Sequence, residues 1–170
     1  MGLRAVVNST PLIALSITGR LSLLKALFDE VIIPVSVYQE VVLHGQGRPG
    51  AEEVRNAGWI LVKEPKEKWS ISPALLGLGQ GEMDVILLAQ EVEADWVLID
   101  EKLGRKVAET VGLRVKGTLG VLLNAYQTHL LSREEAEEII ETLSASSVRV
   151  SPRLVRWFRM QLAGGKQGTE

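Results

Sequence analysis

GQGEMDVILLAQEVEADWVLIDEKLGRKVAETVG, residues 79–112, reads as a helix, a strand and a second helix laid end to end. Ile86, Leu87, Ala89 and Val92 give 79–94 an apolar face, with Glu82 and Asp84 in its first turn. DWVLID (95–100) reads as a strand, and EKLGRKVAETVG (101–112) as a helix stopped by Gly112. Working outward, LRVKG (113–117) is a short strand and TLGVLLNAYQTHLL (118–131) a helix. SREEAEEIIETLS (132–144) opens with Ser132 and Glu135 at the spacing of a capping box, and SPRLVRWFRMQLA (151–163) is a last amphipathic helix. Toward the N-terminus, LRAVV (3–7), EVIIP (30–34) and WILVKE (59–64) read as strands. PLIALSITG (11–19), LSLLKALF (21–28) and SVYQEVVLHG (36–45) read as helices, the first with Thr10 as N-cap and Pro11 at N1, the last opened by Ser36. Gly45 to Gly50 is a glycine-rich loop.

Strands alternating with helices predict an α/β fold with a largely parallel sheet covered on both faces. The 170 residues fit one domain: a core over about 3–131, a C-terminal helical extension over 132–163 and a frayed tail from 164 to 170. Apolar residues make up 46% and charged residues 24%, so a core of ordinary size forms without staples. There is no cysteine, which excludes disulfides and thiolate chemistry and suits a reducing cytoplasm. The N-terminal apolar run is broken by Asn8-Ser9-Thr10-Pro11, and no segment approaches the length of a membrane span. A cytoplasmic protein with no membrane partner is therefore expected. The net charge of −2 does not announce a nucleic acid, although mean charge says little about a single face.

Open α/β sheets bind ligands beyond the carboxyl ends of their strands. The first strand ends at Asn8, Ser9 and Thr10, and DWVLID ends at Asp100 with Glu101 next. The helix after the second strand offers Glu40, with Gln39 beside it. Glu82 and Asp84 are two residues apart, about 200° around a helix, so only one of them can face a given crevice. These are hard oxygen donors from distant segments, suited to Mg²⁺ or Mn²⁺ rather than zinc.

VVNSTPLIALSITGRLSLL, EVIIPVSVYQEV and the run from Gly79 to Leu123 together resemble a PIN domain, and more narrowly a prokaryotic PIN-like subgroup of unassigned function. The resemblance implies a three-layer α/β/α sandwich. It also implies a Mg²⁺- or Mn²⁺-dependent ribonuclease related to the toxins of toxin–antitoxin pairs, with RNA as substrate, an antitoxin protein as partner and a homodimer as assembly. Carried over, the metal positions are Asn8, Glu40, Asp84 and Asp100, and the catalytic residues are Asp84, Asp100 and the neighbouring Glu82. Ser9 and Thr10 would supply hydroxyls near the metal or phosphate. The departure is Asn8, where the family pattern has Asp. Losing that charge weakens metal binding, a unit-charge pair at about 4 Å being worth about 4 kcal/mol at an effective dielectric of about 20. A catalytically weak nucleic-acid-binding module, or a toxin–antitoxin partner, is the alternative.

Each residue also has an ordinary explanation. Asn8-Ser9-Thr10-Pro11 is good helix-capping chemistry, Glu82 and Asp84 complement a helix dipole, and Asp100 suits an N-cap. Glu40 suits a solvated helix face. Lys102, Arg105, Lys106, Arg114 and Lys116 form one basic group, and Arg153, Arg156 and Arg159 a second. Both fit a solvated face. Arg105 and Lys106 are the better candidates for RNA phosphate contacts, being nearest the crevice. His44 and His129 are too few and too far apart in sequence for a zinc site, and GLGQGE lacks the spacing of a nucleotide-binding loop. Trp59, Trp69, Trp96 and Trp157 are scattered rather than grouped as a stacking platform. Trp59 and Trp96 read as strand-associated core, and Trp157 with Phe158 docks the last helix or a second copy. A receiver-like domain is the remaining alternative, and Asn8 at the first strand end counts against it.

Overall fold

β1 (Arg4–Val7) is the middle strand of a five-stranded sheet, flanked by β2 (Glu30–Pro34) and β4 (Trp96–Leu98). β3 (Ile60–Lys63) and β5 (Val115–Lys116) lie outside them, giving the order 3-2-1-4-5 with every pairing parallel. The computed structural model describes residues 2–67 and 76–164. Trp69 and residues 165–170 of the expected tail lie outside the described residues.

The sheet is parallel because β1, β2 and β4 are apolar on successive residues, as strands covered on both faces must be. Val6, Val7, Ile33 and Leu98 have no exposed surface, each side chain contributing about 1.5–3 kcal/mol by leaving water. Two helices, α1 (Ser9–Ile17) and α2 (Leu23–Leu27), link β1 to β2. Between β2 and β3 come α3 (Val35–Tyr38), which runs on as a π-helical turn over Gln39–Leu43, and α4 (Ala51–Asn56). α5 (Gln80–Glu91) leads into β4, and α6 (Lys102–Thr110) joins β4 to β5. α7 (Thr118–Gln127), α8 (Arg133–Ser144) and α9 (Pro152–Gly164) close the chain. Right-handed crossovers place the helices before β3 on one face and α5 and α6 on the other. α5 packs on β1, β2, β4 and α6 and also meets α3, which follows the carboxyl end of β2, whereas α1 packs on α4, α7 and α8. The three-layer α/β/α sandwich is therefore present.

Several local expectations hold. Ser132 Oγ accepts the Glu135 N–H at 3.0 Å while Glu135 Oε1 accepts the Ser132 N–H at 2.9 Å, completing the capping box. Phe158 is fully buried and docks α9, and Trp59 and Trp96 pack half-buried against the core. Trp96 also lies beneath two cations, the Arg114 guanidinium 4.1 Å and the Lys116 ammonium 4.3 Å from its ring centre.

Two expectations are corrected and one helix was not foreseen. α1 begins at Ser9 with Asn8 as its N-cap, so Pro11 sits within the first turn rather than at N1. Proline is tolerated there because the first-turn N–H groups have no helical partner. The helix after β2 begins at Val35, not Ser36, and its second half takes the π form. α4 follows the glycine-rich loop in a stretch with no helical apolar period. Its first turn is held by Glu53 Oε1 accepting the Gly50 N–H at 3.1 Å.

The chain builds β1, β2 and β3 outward in one direction, then crosses back to place β4 on the other side of β1. The carboxyl ends of β1 and β4 therefore flank the topological switch point, where such sheets hold ligands. The Asn8 N–H donates to Leu98 O at 3.0 Å and fixes the two strand ends side by side.

Candidate functional site

A cavity of about 420 Å³ opens at that switch point. Asn8, Ser9 and Thr10 enter it from the end of β1 and the start of α1, and Glu101 from the end of β4. The π-helical turn delivers Gln39 and Glu40, and the first turn of α5 delivers Glu82. Ser36, His44 and Gln80 complete its polar side chains. Single π turns concentrate at functional sites because the extra residue re-aims the side chains that follow it.

Asn8 is 2% exposed and is the hub of the cavity floor. Its Nδ2 donates to Glu101 Oε2 at 3.4 Å, and the Thr10 hydroxyl donates to Glu101 Oε1 at 2.7 Å. The two donors hold the Glu101 carboxylate over the strand ends. Gly81 faces the Glu40 carboxylate and the Asn8 amide, a Cβ there lying at ordinary contact distance, 3.4 Å from Glu40 Oε1 and 3.7 Å from Asn8 Oδ1. Gly104 on α6 makes room for Glu82 Oε2, 2.7 Å from where its Cβ would be.

Glu82 Oε1 accepts the Gly79 N–H at 3.0 Å, as the acidic half of a capping box. Burial pushes the Glu82 carboxyl above its usual range. The Gly79 bond pulls it down, and Glu101 and Glu40 push it up again. Among the described residues no lysine or arginine pairs with Glu40, Glu82 or Glu101.

Asp84 is buried behind this cavity. Ser36 Oγ donates to its Oδ2 at 2.6 Å and Gln80 Nε2 to its Oδ1 at 2.9 Å, so two lining residues are anchored on it. Of the two acidic residues two apart on α5, Glu82 faces the crevice and Asp84 the interior.

Asp100 faces a second cavity of about 650 Å³. There its Oδ1 accepts the Thr118 N–H at 2.7 Å and its Oδ2 the Thr118 hydroxyl at 2.6 Å, capping α7 across the chain. Burial raises its pKa, the two Thr118 bonds lower it, Glu101 raises it and Arg105 lowers it. Arg105 lines this second cavity, while Lys106 is exposed outside both. Thr10 borders the two cavities.

Ser36 and His44 stand in the first cavity without having been site candidates in the sequence, and Glu101 and Gln39, named there only as neighbours of Asp100 and Glu40, enter it as well. Glu101 was signalled only by adjacency to Asp100. Both follow β4, but Asp100 turns toward Thr118 at the start of α7 whereas Glu101, the N-cap of α6, turns toward Asn8 and Thr10, so the two carboxylates enter different cavities.

A family model described as a PIN domain (DUF3368) matches residues 4–163. The chain is a PIN domain. No curated protein matches it. The family match extends past the core through α8 and α9, so those helices belong to the PIN domain's matched region.

PIN domains generally use divalent metals, and the donor set fits one in kind. The carboxylates lack counter-charge, repel one another and sit beside the Asn8 amide oxygen, which is hard and neutral. Among the described residues no three His, Asp or Glu side chains are gathered tightly enough to hold an ion by themselves. Mg²⁺ and Mn²⁺ bind through one or two carboxylates and keep several waters, so neither needs such a cluster. No described helix is long and apolar enough to cross a membrane.

Proposed function

We propose that this PIN domain is a Mg²⁺- or Mn²⁺-dependent endoribonuclease. One or two of Glu40, Glu82 and Glu101, with the Asn8 amide oxygen, would hold the ion, and waters would fill the rest of its shell. The observation that carries the reading is the convergence of three uncompensated carboxylates, from three separate chain segments, at the switch point of a PIN fold. When bound, the ion supplies Lewis acidity and a water of lowered pKa.

The chain's own groups have separate tasks. Asn8 and Thr10 orient Glu101, and Gly104 leaves space for Glu82. Burial and the neighbouring Glu101 and Glu40 carboxylates push the Glu82 carboxyl up, a penalty that a bound divalent cation would relieve. Asp84 and Asp100 act one layer back, the first beneath Ser36 and Gln80, the second under α7. Ser9 and Thr10 lie where a phosphate would enter.

Incubating the pure protein with mixed RNA and Mn²⁺ tests this. Cleavage should vanish in EDTA and in Glu82→Gln and Glu101→Gln. Cleavage that survives both substitutions would belong to a contaminant and end the proposal. One observation favours a second reading, a catalytically weak module: Asn8 brings no charge where the family pattern has Asp. Wild-type protein that binds Mn²⁺ by calorimetry yet leaves RNA intact would select it.

A further inference from the structure

We infer that the second cavity is a single-stranded RNA groove that feeds the carboxylate pocket. This rests on the nuclease reading for the destination of the strand, but not for the binding itself. The groove lies between the start of α7 and the wall made by the α8–α9 connection and α9. Arg105, Lys116, Arg149 and Arg153 line it against a single carboxylate, Asp100. Asp100 is already committed to Thr118. A chain of net charge −2 thus concentrates cations on one concave surface, which is the electrostatic footprint of a polyanion site.

Arg149 and Arg153 are exposed, and among the described residues neither has an acidic partner. On the same helix Arg159 is tied to Glu137 at 3.4 Å and Glu141 at 4.0 Å. Arg149 and Arg153 at the groove are left available, as is Arg156 outside it.

Trp157 supplies the second element. It lines the groove and is 40% exposed, whereas its neighbour Phe158 is fully buried and does the packing. An exposed indole beside unpaired guanidinium groups is chemistry for stacking an unpaired base between phosphate contacts. An acidic peptide would use the cations and have no use for the indole. Thr10, shared by the two cavities, marks the crossing point. A strand lying along the groove and continuing past Thr10 brings its next phosphodiester to Glu40, Glu82 and Glu101.

Fluorescence anisotropy with a short fluorescein-labelled oligouridylate, in EDTA so that nothing is cleaved, reads the groove directly. Trp157→Ala should weaken binding about tenfold and Trp157→Phe should restore most of it. Arg149→Ala with Arg153→Ala should lower the slope of log affinity on log salt by about 1.4, two phosphate contacts at about 0.7 each. All three side chains are exposed, so unchanged melting temperatures will show that the fold is intact. Arg156→Ala, exposed on α9 but outside the groove, should leave this binding unchanged, separating the groove from the general charge of the helix. Oligouridylate that fails to bind wild type, binds the variants equally well, or is matched in affinity by a glutamate-rich peptide would overturn the groove. Each of these results leaves the nuclease reading to its own cleavage test.

Discussion

Asn8→Asp would set a fourth carboxylate against Glu101, now held by the Asn8 amide at 3.4 Å. At that separation Coulomb's law gives about 5 kcal/mol at an effective dielectric of about 20 and about 1 kcal/mol in bulk water. Glu101 is exposed and position 8 is buried, so solvent screening brings the repulsion to about 2 kcal/mol. The lost amide hydrogen bond adds about 1 kcal/mol. For a domain of this size the sum of about 3 kcal/mol corresponds to a melting temperature lower by about 6–12 °C in EDTA near neutral pH. The sign follows from linkage: repulsion raises the folded-state pKa values of both carboxyls, so the cost grows as pH rises through the carboxylate range and disappears in acid. A divalent ion that binds only the folded state returns about 2.7 kcal/mol at a hundred times its dissociation constant. Thermal melts of wild type and variant across pH, with and without Mn²⁺, measure all of this. A variant that melts with wild type in EDTA would show that Asn8 and Glu101 do not face each other. A variant that Mn²⁺ stabilises no more than wild type would show that position 8 is not at the ion.

Glu82→Gln should raise the melting temperature in EDTA at neutral pH, because Glu82 has a raised pKa and costs stability as pH rises through it. The gain should shrink in acid, and the variant should lose Mn²⁺-dependent cleavage. Gly104→Ala adds a Cβ 2.7 Å from Glu82 Oε2 and 3.1 Å from Ile99 Cγ2. Helix propensity favours alanine by about 1 kcal/mol, so urea unfolding should show little net loss while calorimetry shows weaker Mn²⁺ binding as Glu82 is displaced. Asp100→Ala removes two short bonds from Thr118 and should cost about 2 kcal/mol in urea unfolding. Asp100→Asn keeps an acceptor and should cost less.

The layers were legible because buried parallel strands write themselves as unbroken apolar runs, as in Arg4–Val7 and Glu30–Pro34. Caps closed by one side chain at fixed spacing were legible for the same reason, Ser132 with Glu135 being the case. The two-residue spacing of Glu82 and Asp84 announced that they diverge. Which one meets solvent depends on how α5 is rotated against β1, β2 and β4, a tertiary property. Glu101 was hidden behind Asp100 because both follow the same strand, and only the direction of departure separates them. The π turn that presents Glu40 has no local sequence signature, since packing of Val41 and Val42 beneath it sets its phase. Thr118 as the partner of Asp100, 18 positions along the chain, was equally out of reach of local pattern.

The acidic pocket takes its oxygens from positions 8, 40, 82 and 101, so no fragment of the chain contains it. A nascent polypeptide still holding residue 101 inside the ribosome has its first strand and no pocket. The pocket therefore forms only after the non-local closure of β4 onto β1, and a fragment that ends before residue 101 cannot assemble it.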